Sequence, residues 1–508
     1  MAQISVNNLT FGYEESLNYV FENVTFTIDT DWKLGFIGRN GKGKSTFLKL
    51  LSGEYEFSGS IHTTARFDYF PYEVSESQRE LAIADFMEAL KPGCEQWKVI
   101  CELEKLSESA EILYRPYGTL SPGERTKALL AVLFSDENDF LLIDEPTNHL
   151  DKEAREIVKK YLAAKKGFIL VSHDRDLLDA CTDHCLVLNR NSIEVQQGNF
   201  SSWWENKQRK DQFAIAENKK HRKEIQKLNE AAAKVSGWAD KNEHTKIGFD
   251  PIKEHDRCLS TRSYIGAKTK KMQSRVKQME NRIGREIEEK EGLLQDIESP
   301  KDLKLFSLAY HKKTLVNVKD YSVTYAGMEN PVFTGVSFAV EQGERIALSG
   351  ENGSGKTTLI KMILRKCNSS KENITVCEEG VCDVASGLMI SYVGQEIRGL
   401  KGDIATYCKA HDLDKSLFCS LLRQLDFERN QFSQNIENYS DGQKKKVLLA
   451  TSLLTPAHLY IWDEPLNYID VFSRIQLENL ILEYKPTILF VEHDIKFCEK
   501  VATKVVSL

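Results

Sequence analysis

Short apolar runs that end in glycine or acidic residues occur in both halves of the chain and predict buried strands. They are Leu34 to Ile37 and Ile346 to Ser349, Phe140 to Ile143 and Leu459 to Trp462, and the runs closing at Val171 and Val491. Between the halves the pattern changes. From about residue 201 to 300 charge rises, and apolar residues recur at Ile225, Leu228, Ala232 and Val235 and again at Met272, Val276, Met279 and Ile283. That three-and-four spacing belongs to a coiled-coil seam and predicts two long helices. Gly248 and Pro251 interrupt it, so the helices should turn back on each other there. At ~1.5 Å per residue, about 40 residues give an arm on the order of 60 Å.

The halves repeat one another. A Gly-rich element starts at Gly38 and again at Gly350, and a Ser-x-Gly element stands 23 residues ahead of each acidic pair, Ser121 before Asp144 and Ser440 before Asp463. Tyr13 and Tyr325 each lie 25 residues before their Gly-rich element. Such self-similarity decides the architecture. The expected fold class is α/β, with two tandem P-loop nucleotide-binding domains joined by a long antiparallel helical hairpin. The expected boundaries are 1–200, 201–300 with a hairpin tip at about 243–261, and 301–508, with 75–118 a short arm-like insertion in the first domain. The length of 508 residues agrees with two domains and a connector, since one core rarely outgrows about 250 to 300 residues.

Composition adds exclusions. The longest apolar runs, such as Leu129 to Phe134, are far shorter than the roughly 18 residues of a membrane span, so no membrane association is expected. The start of the chain lacks the basic and apolar regions of a secretory signal, which implies a cytoplasmic address. Eleven scattered cysteines without a Cys-x-x-Cys pair argue for reduced core thiols, and Cys181, His184 and Cys185 lack a fourth zinc ligand nearby. Charge is uneven. The chain carries −7, yet residues 201–290 hold 22 Lys/Arg against 14 Asp/Glu.

The chemistry lies in the repeated elements. Gly38-Arg39-Asn40-Gly41-Lys42-Gly43-Lys44-Ser45, followed by Thr46, fits the phosphate-binding loop, as does Gly350-Glu351-Asn352-Gly353-Ser354-Gly355-Lys356-Thr357, followed by Thr358. Glycines let backbone N–H groups wrap phosphate oxygens, Lys44 and Lys356 reach the terminal phosphates of ATP, and Ser45 and Thr357 ligate Mg²⁺. Asp144 and Asp463, at the ends of apolar strands, are placed to hold the metal, and Glu145 and Glu464 to polarise the attacking water. His173 and His493 follow further apolar strands and are candidates for the γ-phosphate.

These motifs resemble the ATP-binding cassette superfamily over nearly all of both halves. Its signature motif appears as Leu120-Ser121-Pro122-Gly123-Glu124 and as Tyr439-Ser440-Asp441-Gly442-Gln443. The resemblance implies cassettes paired head to tail within one chain, so that Ser121, Gly123 and Glu124 close over one nucleotide and Ser440, Gly442 and Gln443 over the other. It also implies that Tyr13 and Tyr325 stack on adenine and that Gln395 serves the metal and the lytic water. In the first copy Tyr72 occupies the place of that glutamine, so unequal sites are expected.

Two cassettes joined by a basic hairpin resemble the ABC-F family, soluble proteins that bind the ribosome. The stretch Tyr264 to Arg275 is similar to the start of that family's second linker helix, and between Arg262 and Arg285 eight basic residues face the single acid Glu280. The resemblance implies contact with the 70S ribosome, its 23S rRNA and P-site tRNA, through Lys268, Lys270, Lys271 and Arg275. The short segment between Q-loop and signature, the absence of a basic C-terminal extension and the long tip resemble the Lsa-type antibiotic-resistance branch. That branch guards the peptidyl-transferase centre against lincosamides, pleuromutilins and streptogramin A, and Phe249 at the tip would approach the drug pocket. A housekeeping ABC-F translation factor and the detached ATPase of a transporter are the alternatives.

Overall fold

The computed structural model describes residues 3–13, 19–39, 41–136, 139–148, 150–189, 192–244, 270, 274–279, 281–285, 305–327, 330–351, 353–367, 376–395, 397, 400–425, 427 and 429–508. Asn40, Asn352, Phe249, Lys268, Lys271, Met272, the hairpin turn at Gly248 and Pro251 and nearly all of the expected tip lie outside them. The chain divides into two compact units, Met1–Trp203 with Pro300–Leu508, and Trp204–Ser299.

The first unit holds both repeats. In the first, β1 (Gln3–Phe11), β2 (Phe21–Asp29) and β4 (Ser58–His62) form an antiparallel sheet in the order β2-β1-β4. The second sheet runs β5-β6-β7-β3-β8-β9, from β3 (Lys33–Ile37), β5 (Arg66–Phe70), β6 (Asp139–Asp144), β7 (Phe168–Val171), β8 (His184–Leu188) and β9 (Ile193–Gln197). It is parallel except for β9. The helices are α1 (Lys44–Leu51), α2 (Ile83–Leu90), α3 (Gln96–Lys105), α4 (Pro122–Leu133), α5 (Lys152–Ala163) and α6 (Arg175–Cys181). The β3 and β7 strands are apolar throughout their buried stretches because helices or the second sheet cover both faces.

The second repeat has the same plan. Strands β10 (Thr314–Tyr325), β11 (Phe333–Glu341) and β13 (Val376–Val384) make the antiparallel sheet β11-β10-β13. Strands β12 (Arg345–Ser349), β14 (Ile390–Val393), β15 (Leu459–Asp463), β16 (Ile488–Val491) and β17 (Lys504–Ser507) make the parallel sheet β14-β15-β16-β12-β17. Its helices are α8 (Lys356–Lys366), α9 (Ile404–Ala410), α10 (Lys415–Gln424), α11 (Asp441–Leu454), α12 (Val471–Tyr484) and α13 (Ile495–Val501). Residues 75–118, expected to be an arm-like insertion, form α2, α3 and short 3₁₀ turns. Their counterpart α9–α10 stands at the same place in the second repeat, so the segment is a shared helical layer and not an addition.

The second unit is helical where described. A helix of 45 residues, α7 (Phe200–His244), carries the chain into it, and 274–279 and 281–285 are helical. At ~1.5 Å per residue the 45-residue helix extends on the order of 70 Å. Ile225, Leu228 and Val276 are half-buried and Ile283 is buried, whereas Met279 is exposed, so the expected seam is only partly covered among these residues. Lys270 and Arg275 are exposed.

The thiols do not all belong to the core. Cys101 and Cys377 are exposed, while Cys181, Cys185 and Cys498 have thiols that burial pushes up to about 12. Since only the thiolate attacks, alkylation of the native protein at neutral pH should mark Cys101 and Cys377 and spare those three. Peptide mass mapping before and after denaturation checks this, and native labelling of Cys181 or Cys185 would contradict the burial.

Candidate active sites

Each Gly-rich loop joins an interior strand of its sheet, β3 or β12, to a helix, at the carboxyl ends of the parallel strands where ligands of open α/β sheets bind. Gly43 and Gly355 sit just before α1 and α8 with φ of 102° and 91°. A Cβ there would lie 2.5 Å from Val20 Cγ1 and 2.7 Å from Phe333 Cδ1, so only glycine fits. Lys44 Nζ donates to the carbonyls of Gly38 at 2.7 Å and Arg39 at 3.1 Å, and Lys356 Nζ to those of Gly350 at 2.9 Å and Glu351 at 2.6 Å. Both ammonium groups are thus held inside their loops. Burial lowers the pKa of each, against nearby carboxylates that raise it, as expected of cations stationed for an anion.

Tyr13 and Tyr325 are fastened to the loops they precede. Their hydroxyls pair with Thr46 Oγ1 at 2.7 Å and Thr358 Oγ1 at 2.9 Å, and Tyr13 is 44% exposed, with its ring edge-on to Phe11 and Tyr55.

The acidic pairs lie at the ends of β6 and β15. Ser45 Oγ donates to Asp144 Oδ2 at 2.6 Å. Asp463 is fully buried and, among the described residues, neither carboxylate oxygen has a partner at hydrogen-bond geometry. Burial pushes its pKa up to about 6, opposed by the neighbouring Thr357 hydroxyl. A buried carboxylate so placed is costly unless a cation meets it. The hydroxyl and carboxylate oxygens of Ser45, Asp144, Thr357 and Asp463 are the hard donors that suit Mg²⁺. Glu145 and Glu464 follow with φ of 51° and 48°, a left-handed conformation strained for a side chain other than glycine. Such strain persists where the surroundings fix it, and here it turns each carboxylate out of its strand.

The glutamates have different neighbours. Glu464 Oε2 accepts from Gln395 Nε2 at 3.1 Å and Asn467 Nδ2 at 2.5 Å, and His493 Nε2 stands 3.6 Å from Oε1. Burial alone would raise its pKa, but His493, Asn467 and Lys445 outweigh it and the pKa falls. Glu145 has His173, with Nε2 at 3.2 Å and the backbone N–H at 3.4 Å, and no glutamine. Burial, with the Asp144 charge beside it, pushes Glu145 up. Tyr72, which stands in the glutamine's place in sequence, donates to Asp68 Oδ2 at 2.6 Å instead. The residue that reaches the acidic pair is Tyr69, whose hydroxyl donates to Asp144 Oδ2 at 3.2 Å. Sequence reading missed it. The available signal was its position three residues before Tyr72 on a strand facing β6.

The signatures are helix caps. Ser121 and Ser440 each start a capping box, with Glu124 and Gln443 as the reciprocal partners, so α4 and α11 present ordered positive N-termini. Ser440, Asp441, Gly442 and Gln443 share a cavity of about 450 Å³ with Gly41, Glu145, Asn148 and His173 of the other repeat. A second cavity of about 460 Å³ joins Tyr325, Gly353, Gly355, Lys356, Thr357, Thr358, Gln395, Glu464 and His493 to Pro122, Leu150 and Arg155. The repeats therefore face head to tail. The first signature enters its cavity through Pro122, while Glu124 is paired with Arg115 at 2.9 Å.

The family model described as ABC transporter matches residues 21–148 and 333–467. Among curated proteins, the ribosome protection protein VmlR of Bacillus subtilis (strain 168) is 29% identical over 502 residues, 96% of this chain and 84% of that protein. The ATP-binding protein Uup of Caulobacter vibrioides is 26% identical, covering 96% of this chain and 74% of Uup. Among solved structures, the archaeal ribosome recycling factor aABCE1, in complex with the ribosomal stalk protein aP1, superposes with a TM-score of 0.60 at 18% identity, covering 98% of this chain and 87% of that one. No helix among the described residues is long and apolar enough to cross a membrane.

Proposed function

The chain belongs to the ATP-binding cassette family, is an ATPase, and on that premise we propose that it is an ABC-F protein that binds the ribosome and protects it from antibiotics of the peptidyl-transferase centre. The observation that carries this reading is the similarity along 96% of the chain to a protein named for ribosome protection. The basic connector supports it, since neutralising RNA phosphates dominates such affinity and residues 201–290 are net basic in an acidic chain.

ATP and Mg²⁺ would sit in the two composite cavities. Lys44 and Lys356 would offset phosphate charge, while Ser45 with Asp144 and Thr357 with Asp463 would hold the cation, whose charge would stabilise the phosphoryl oxygens. Glu145 and Glu464 would orient the attacking water, and His173 and His493 would face the γ-phosphate. Gln395 supports Glu464 in the second site only, which favours unequal hydrolysis. Because each cavity draws residues from both repeats, nucleotide would close the cassettes on each other within one chain, so a monomer suffices. Lys268, Lys270, Lys271 and Arg275 would contact 23S rRNA near the P-site tRNA, with Phe249 toward the drug pocket.

The test is a susceptibility panel in a host with the gene present and deleted. The gene should raise the inhibitory concentrations of lincosamides, pleuromutilins or streptogramin A and leave drugs acting elsewhere unchanged. No shift for any of the three, in cells where the protein co-sediments with ribosomes, would leave a housekeeping translation factor in its place.

A further inference from the structure

The two nucleotide sites support different acids. In the second site polar support goes to the glutamate, through Gln395 and Asn467. In the first site Pro71 and Tyr72 replace Gly394 and Gln395, and the added donor arrives at the aspartate, from Tyr69. We propose that Tyr69 is a positioning residue of the first site, fixing the Asp144 carboxylate for the metal through a phenol bond that has no counterpart at Asp463. The inference rests on the reading of Ser45 and Asp144 as magnesium ligands.

The strand register explains how the phenol gets there. Tyr69 on β5 pairs with Leu142 on β6, two residues before Asp144, and alternate residues of a strand share a face. Two residues along a strand is about 7 Å, a gap that a tyrosine side chain spans and a shorter one does not. Tyr392 holds the same register against Ile461, two residues before Asp463, but it is 41% exposed and, among the described residues, neither oxygen of Asp463 has a partner at hydrogen-bond geometry. The same residue type at the same register position therefore makes the contact in one site and not in the other.

Tyr69 is the second donor to an oxygen that Ser45 already reaches, since the Ser45 hydroxyl donates to the same Asp144 Oδ2. A serine that gives an oxygen lone pair to a cation keeps its proton, so both donors can act on this oxygen and leave the other carboxylate oxygen for the cation. Tyr69 stands beside the ligand and does not touch the reacting atoms.

The experiment isolates the first site with Lys356→Ala and follows a fluorescent ATP analogue across a Mg²⁺ series and in EDTA. Tyr69→Phe, which keeps the ring, should raise the half-saturating Mg²⁺ concentration by roughly tenfold, the worth of one hydrogen bond to an ionised group. Nucleotide affinity in EDTA should not change. In an Asp144→Asn background the same substitution should add nothing, because the bonded charge is gone. An unmoved Mg²⁺ curve would overturn the proposal, as would an equal loss of affinity in EDTA, which marks packing. A parent whose nucleotide affinity ignores Mg²⁺ would overturn the metal reading itself, and the role of Tyr69 with it.

Discussion

A protein carrying Glu145→Gln and Glu464→Gln together should bind ATP, split it about 10² to 10⁴ times more slowly than the parent, and accumulate on ribosomes when ATP is present. The geometry explains why binding should survive. Both donors to Glu464, Gln395 Nε2 and Asn467 Nδ2, converge on the single oxygen Oε2, so an amide oxygen can take its place while the amide nitrogen faces His493. At Glu145 the nearest partners are the His173 ring and backbone N–H, and neither is a phosphate-loop residue. The lysines stay where they are, held by carbonyls of their own loops. What is lost is the ability to take a proton from water. On the proposed function, ATP that is bound and not split would keep each phosphate loop joined to the signature opposite, and the closed pair would hold the connector in its ribosome-binding form. A sucrose gradient run with ATP reads the result. If the double variant binds ATP normally and stays at the top of the gradient, the ribosome reading falls and an ATPase of other purpose is left.

Much of this architecture is legible in the sequence, for a physical reason. A phosphate loop is contiguous: glycines, lysine and hydroxyl must sit at fixed offsets because one turn of backbone wraps the phosphates. Likewise an acid that ends a buried strand is visible as an apolar run closed by charge, as at Phe140 to Glu145 and Leu459 to Glu464. The head-to-tail pairing came from resemblance and not from any residue pattern, because it joins Ser440 to Glu145 across some 300 positions. Tyr69 was hidden by a different effect. Its place is set by the register between β5 and β6, and the sequence offered Tyr72 as the more conspicuous stand-in for glutamine. The left-handed turn at both glutamates left no trace either, since glycine would have been its usual sign. The two repeats also differ at positions that their shared motifs do not reveal. Arg175 in the first repeat stands where the second has Ile495, and Glu478 where the first has Lys159. These asymmetric residues meet each other.

That meeting leads to the second large effect, on stability. Arg175 on α6 is 7% exposed and its guanidinium forks onto Glu478 of α12, which is fully buried; Nη1 donates to Oε2 at 3.2 Å and Nη2 to Oε1. Asp494 Oδ1 lies 3.8 Å from Nη2, and Lys500 Nζ lies 3.2 Å from Glu478 Oε2. Alongside, Lys496 donates to Asp179, a second ion pair from one repeat to the other. Two charges taken this far from water gain little over a well-packed apolar pair, but either one left alone is expensive, about 3 to 5 kcal/mol. Arg175→Met leaves Glu478 with Lys500, and Glu478→Leu leaves Arg175 with Asp494, so each single change should cost about 3 kcal/mol, the low end of that range. For repeats of this size that is a fall in melting temperature of roughly 6 to 12 °C. Because the lost pair bridges the repeats, calorimetry of the nucleotide-free protein should show one transition separating into two. The double variant, with an apolar pair in place of the ionic one, should recover most of the loss. Singles that melt with the parent would mean that water reaches the pair. A double variant as unstable as the sum of the singles would mean that the residues contribute separately, each through its own repeat, and that the fork between them holds nothing together.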